Sequence, residues 1–245
     1  MAADRLKWSN PMKGYGCSSR LTAAVPSDPM TTSHGFPICS PAERAVDVGV
    51  HCVGVAASLL GGGWLIAVSF LSTAPSVIAS IVVYCIGLTG MFGSSAAYNL
   101  ARPGQSKEIL RRLDHAMIFL MIAGSYTPFA VLSLEGTMRT AIMLTVWTAA
   151  AVGIVTKIFY SRRFERTAMI LYLGMGWTIL IAIDSLVEVL SALSLTLLVV
   201  GGIVYTLGAV VYAHERWRFN QATWHVMVLV AASFHYAAIA IEYAA

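Results

Sequence analysis

The sequence predicts an all-α polytopic membrane protein, a bundle of seven transmembrane helices. Three observations predict it. Of 245 residues, 58% are hydrophobic and only 11% charged, against about 45–50% and about 25% in soluble domains. The apolar residues form seven long runs, each near the roughly 20 residues that cross a bilayer core. Lys and Arg are sorted into alternate loops. Continuous rather than alternating apolar runs exclude a transmembrane barrel, and the composition excludes a soluble globular domain or a disordered chain.

Residues 1–42 read as a poorly ordered cytoplasmic tail. Its first 39 residues are rich in Ser, Thr, Pro and Gly and lack helical periodicity. No apolar stretch follows the basic start, so it is not a cleaved signal peptide. Ser40-Pro41-Ala42-Glu43 is a helix start, with Ser as cap, Pro at the first helical position and Glu three residues after the cap. Residues 43–245 form the seven-helix domain. The apolar runs fall at about 47–71, 76–100, 115–134, 140–157, 167–185, 192–213 and 223–243, with no Lys, Arg, Asp or Glu in their cores.

Between the runs, the tail and the second, fourth and sixth loops hold 15 of the 16 basic residues, leaving only Arg139 for the other side. The positive-inside rule places the N-terminus in the cytoplasm and the C-terminus outside, in a cell-membrane protein. An odd number of spans is needed to keep the two sets of loops apart. The 4 cysteines (Cys17, Cys39, Cys52 and Cys85) contain no Cys-x-x-Cys pair, so neither a disulfide framework nor a thiolate metal site is expected. The net charge of +4 reflects topology rather than nucleic-acid binding.

This topology gathers polar residues at the cytoplasmic side. Ser95 and Asn99 close the second span, Asp114 and His115 open the third, and Gln221 and His225 open the seventh. Glu43, Asp47 and His51 repeat every four residues at the start of the first. Residues four apart share a helix face, and polar groups at membrane depth are functional candidates by default. Each also has a structural reading. Ser95 and Asn99 suit a tight interface beside the pairs Gly90/Ser94 and Gly93/Ala97. Asp114, Glu43 and Asp47 suit first-turn acids at a helix N-terminus, and His115 suits an interfacial residue. His235, about 15 Å deeper than His225, is expected to hydrogen-bond a neighbouring helix. Pro128 should kink the third span, with Ser or Thr hydroxyls near the freed carbonyls. Without a lysine in the seventh span, retinal Schiff-base chemistry is set aside.

Several motifs resemble the hemolysin III type of the progestin and adipoQ receptor family, which includes the adiponectin receptors. They are Ser95-Ala-Ala-Tyr98-Asn99, Leu113-Asp114-His115, Ala123-Gly124-Ser125-Tyr126-Thr127-Pro128, Gly201-Gly202-Ile-Val-Tyr205-Thr-Leu-Gly208 and Gln221-Ala-Thr-Trp224-His225. The resemblance covers about residues 43–245. It implies a cytoplasmic-side zinc site, with one His ending the second span and two opening the seventh. It also implies an Asp that holds the zinc-bound water, and hydrolysis of a ceramide-type lipid amide. Carried over by position, those ligands are Asn99, Gln221 and His225, while Ser95 and Asp114 match the family. In the first span Glu43 and His51 match, and Asp47 stands where the family usually has Asn.

Amide oxygens are poor zinc ligands. The expected reading is therefore a non-catalytic member with a degraded zinc site and no cofactor. The alternative is a metal-dependent hydrolase of a lipid amide or ester with Asp114 as base and Ser95 supporting it. Its rewired shell would recruit Asp114, Asp47 or His51 beside His225, with zinc as the ion. Membrane lipids are the expected partners, as substrate or ligand, and small-residue faces would permit a homo-oligomer. A lytic pore follows only from the family name, because the spans lack a charged conduit.

Overall fold

The computed structural model describes residues 40–71, 74–160, 165–214, 217 and 219–244. Of the tail expected at 1–42, residues 1–39 therefore lie outside the described residues. The described residues are all helical or in short connections. Seven helical segments are long and apolar enough to cross a membrane, as the sequence predicts.

The elements are α1 (Pro41–Ser69), α2 (Pro75–Leu100), α3 (Gln105–Ser133), α4 (Gly136–Phe159), α5 (Glu165–Trp177), a 3-10 turn (Thr178–Ala182), α6 (Ile183–Val189), α7 (Ala192–Ala213) and α8 (Asn220–Ala244). The fifth span is thus composite, with α5, the 3-10 turn and α6 together crossing over Thr167–Val189. Spans neighbouring in sequence pack side by side, and α1 lies between α2 and α8, closing the bundle. Below, the N-terminal face is the one at which α1 begins.

Local chemistry accounts for the helix ends. Ser40 and Glu43 form the expected reciprocal cap, Glu43 N donating to Ser40 Oγ (3.2 Å) and Ser40 N to Glu43 Oε2 (2.7 Å). α3 begins ten residues before its apolar run. Its first turns carry Lys107 and Arg111, both buried, and each has a local partner. Lys107 Nζ donates to Ala101 O at the end of α2 (3.1 Å), and Arg111 donates to Glu108 through Nε (3.2 Å) and Nη2 (2.8 Å). Arg112 Nη1 donates to Ile158 O at the end of α4 (3.0 Å). Basic groups at helix C-termini meet unpaired carbonyls and the negative end of the dipole. Arg139, the exception to the charge sorting, does the same on the opposite face, donating to Leu134 O (2.6 Å) and Val131 O (3.3 Å) at the end of α3.

α2 and α3 make the tightest interface. A Cβ on Gly87 would lie 3.1 Å from Met121 Cα, and one on Gly124 3.4 Å from Val83 O. Backbone meets backbone on both sides; at Gly87 a Cβ would force a shift, while at Gly124 it would just reach van der Waals contact. Gly93, one of the small residues expected at an interface, has nothing within 4 Å of such a Cβ.

Around Pro128, Ser125 Oγ donates to Ile122 O (2.8 Å) and Thr127 Oγ1 to Ala123 O (2.9 Å), the hydroxyl support expected beside an intramembrane proline. Tyr126 serves the neighbouring span. Its hydroxyl contacts Met175 O (2.8 Å) and Gly176 O (2.7 Å) and accepts from Ile179 N (2.8 Å). These are backbone groups released where α5 gives way to the 3-10 turn. No proline marks that break, so the sequence does not announce it.

Candidate functional site

Polar side chains from α1, α2, α3 and α8 converge at the N-terminal face. On α1, Asp47 and His51 turn inward and are 4% and 3% exposed. Glu43 stays at the helix ends, where its Oε1 accepts from Phe219 N (3.1 Å), just before α8. That bond ties the start of α1 to the start of α8 and so fixes the depth at which His225 meets Asp47.

His225 Nδ1 lies 2.5 Å from Asp47 Oδ1, and His51 Nε2 lies 3.5 Å from Asp47 Oδ2. The two imidazoles stand 4.6 Å apart between centroids, tilted by 54°. One carboxylate thus faces two imidazoles, and one ligand atom from each residue lies within 4.8 Å of the others. His51 Nε2 is buried and makes no well-formed hydrogen bond. Asp47, His51 and His225 form a group that could hold a metal ion.

Asn99 and Gln221 adjoin this group. Gln221 Nε2 donates to Asn99 Oδ1 (2.7 Å), and Asn99 Nδ2 donates to Ser95 O (2.9 Å), with Ser95 Oγ at 3.4 Å. Asp114, buried on α3, lies near the Ser95 side chain and within electrostatic range of Asp47 and His51. A hydrogen-bonded chain runs from Ser95 through Asn99 to Gln221.

The structure brings together Ser95, Asn99, Asp114, Gln221 and His225, the five positions singled out from sequence. It divides them between two arrangements. The amides at the expected ligand positions 99 and 221 are hydrogen-bonded to each other and offer no imidazole. A zinc ion does not fit there. His225 instead joins Asp47 and His51, a two-imidazole, one-carboxylate set of the kind that holds catalytic zinc. This set is the rewired shell raised as the alternative, and its signal was the four-residue spacing of Asp47 and His51. Asp114, the third residue considered for that shell, lies outside the Asp47–His51–His225 group, near Ser95. At His115 the backbone carbonyl accepts from Tyr172 Oη on α5 (2.8 Å), while ring Nδ1 is buried without a hydrogen-bond partner.

Comparison with known proteins agrees with this architecture. The family model described as "Haemolysin-III related" matches residues 42–236. The chain is 36% identical to Hemolysin-3 of Bacillus cereus over 154 residues, covering 63% of this chain and 70% of that protein. It is 33% identical to the Hemolysin-3 homolog of Bacillus subtilis (strain 168) over 187 residues, 76% and 88% of the respective chains. The human Monocyte to macrophage differentiation factor is 28% identical over 165 residues, 64% of this chain and 67% of that one. No solved structure matches significantly. With seven membrane-crossing helices and a family match over most of its length, this integral membrane protein belongs to the haemolysin-III-related family.

Proposed function

We propose that the protein is a metal-dependent membrane hydrolase acting on a lipid amide or ester at the cytoplasmic face. The observation that carries this reading is the buried Asp47–His51–His225 group, with one His nitrogen lacking a hydrogen-bond partner. A buried imidazole nitrogen without a partner is costly, and coordination satisfies it. Zinc fits the donor set best, because three protein ligands from His and carboxylate leave a position for water or substrate. When bound, such an ion supplies Lewis acidity and brings the pKa of a water near 7.

The chain's own residues do the rest. Asp114, buried on α3 within electrostatic range of Asp47 and His51, is the candidate to take a proton as general base. The Asn99–Gln221 pair spans α2 and α8 and holds these helices in register beside the ion's site. Charge sorting supports a cytoplasmic N-terminus, which puts the site within reach of lipid of the cytoplasmic leaflet.

One observation favours a second, non-catalytic reading. Asp47 and His225 already bond directly at 2.5 Å, and Asn99 and Gln221 satisfy each other, so the patch can also serve as a hydrogen-bonded structural or lipid-binding cluster. Turnover decides between the two readings. Protein in lipid nanodiscs is assayed on long-chain fluorogenic amides and esters with and without a chelator. The hydrolase reading expects turnover lost on chelation and restored by zinc. Chelator-insensitive turnover, or none with zinc supplied, would sink it.

A further inference from the structure

The corner where α3, α4 and α5 meet at the N-terminal face carries a charge that the candidate site does not use. A Cβ on Gly153 of α4 would lie 2.4 Å from the ring of Phe119 on α3, so the two helices touch there. One turn nearer the N-terminal face on each of these antiparallel helices stand Lys157 and His115, within electrostatic range of each other. Tyr172 of α5 reaches the same place, its hydroxyl donating to His115 O (2.8 Å). One turn before His115, Arg112 crosses to α4, where its Nη1 donates to Ile158 O (3.0 Å). Contacts among three helices thus fix Arg112, His115 and Lys157 in one corner.

Capping α4 uses one nitrogen of Arg112 and leaves the rest. The Arg112 side chain is 43% exposed, its Nε makes no hydrogen bond, and neither does His115 Nδ1. Glu108 Oε1 stands 4.0 Å from Arg112 Nε, but both Glu108 oxygens are engaged by Arg111 (2.8 and 3.2 Å). In sequence, the two stretches bordering the corner, 107–112 and 157–166, hold seven basic residues against two acidic ones. The corner therefore favours an anion.

The surroundings narrow the choice. Ile109 and Leu113 flank Arg112 on α3, and Ile158, Phe159 and Tyr160 follow Lys157 on α4; all five are exposed. Exposed apolar and aromatic side chains at the ends of spans mark contact with lipid at headgroup level, and a long basic side chain there carries its charge to the interface. A guanidinium presents a planar fork of N–H donors that matches a phosphate. An anion that arrives with acyl chains suits both the charge and the apolar surround.

We propose that this corner docks the phosphate headgroup of an anionic phospholipid, with Arg112 as the principal contact and Lys157 strengthening the field behind it. The inference does not rest on the hydrolase reading, since none of these residues belongs to the Asp47–His51–His225 group.

Native mass spectrometry tests it on the full-length protein, released from detergent micelles supplied with equal amounts of phosphatidylglycerol and phosphatidylcholine of the same acyl chains. Wild type should retain phosphatidylglycerol about fivefold over phosphatidylcholine, the worth of one basic side chain at an anionic surface. Arg112→Gln should lose that preference. Ile109→Glu leaves the cap of α4 in place and sets an acid one turn from Arg112; it should lose the preference too, and decides the matter if Arg112→Gln does not fold. Arg44→Gln, at the start of α1, should keep it. No preference in wild type, a preference that survives in Ile109→Glu, or one that falls equally in Arg44→Gln overturns the proposal. Displacement of the lipid by millimolar inorganic phosphate would assign the corner to a free anion and overturns it as well.

Discussion

Removing the Tyr126 hydroxyl tests the account of how the fifth span is held. Its hydroxyl serves Ile179 N–H at 2.8 Å and the carbonyls of Met175 and Gly176 at 2.8 and 2.7 Å. Tyr126→Phe keeps the ring in the core and deletes this partner alone. The Ile179 N–H then loses its acceptor where water is scarce, which costs about 1–3 kcal/mol for a buried donor. Interhelical hydrogen bonds in membrane proteins average about 0.6 kcal/mol and reach about 1.7, so the expected loss sits at the low end of that range, about 1–2 kcal/mol. Equilibrium unfolding in mixed detergent micelles reads it. A Tyr126→Phe protein as stable as wild type would refute the reasoning, since the broken span would then be held by something other than this hydroxyl.

Further predictions concern packing, chemistry and topology. Gly153→Ala sets a Cβ about 2.4 Å from the ring of the buried Phe119 and should destabilise by about 1–3 kcal/mol. Gly93→Ala, with open space around it, should be neutral or stabilising through helix propensity; both are read by thermal unfolding. If the hydrolase reading holds, Asp114→Asn should lower kcat by about 100-fold or more while leaving metal content unchanged, measured on the same preparation. An impermeant maleimide applied to intact cells should leave Cys17 and Cys39 unlabelled and label Ser76→Cys, in the first turn of α2 on the opposite face. The reverse pattern would overturn the cytoplasmic N-terminus. Liposomes containing the protein should retain trapped dye; release would revive the lytic reading.

The sequence makes the spans legible because apolar length and charge sorting are properties of single segments. Helix ends are less so. The run beginning near 115 marks where α3 becomes apolar, whereas the helix starts at Gln105, because Lys107 and Arg111 find partners within the fold and need not stay in water. The 3-10 break at Thr178–Ala182 depends on a tyrosine some fifty residues earlier, which no local pattern reveals. The site is legible in part for the same reason. Which residues share a depth follows from topology, and Ser95, Asn99, Asp114, Gln221 and His225 do meet. Which of them face one another depends on how α1 and α8 are rotated, and that rotation pairs His225 with Asp47 rather than leaving it with Gln221 and Asn99.

We propose that a metal ion is held between α1 and α8, by Asp47, His51 and His225. The most direct measurement is elemental analysis of detergent-purified protein equilibrated with zinc and washed, in wild type, Asp47→Asn, His51→Gln and Asn99→Leu. The account predicts about one zinc per chain in wild type and Asn99→Leu, and sharp loss in Asp47→Asn and His51→Gln. No zinc in wild type, or a loss that follows Asn99 instead of Asp47, would contradict it.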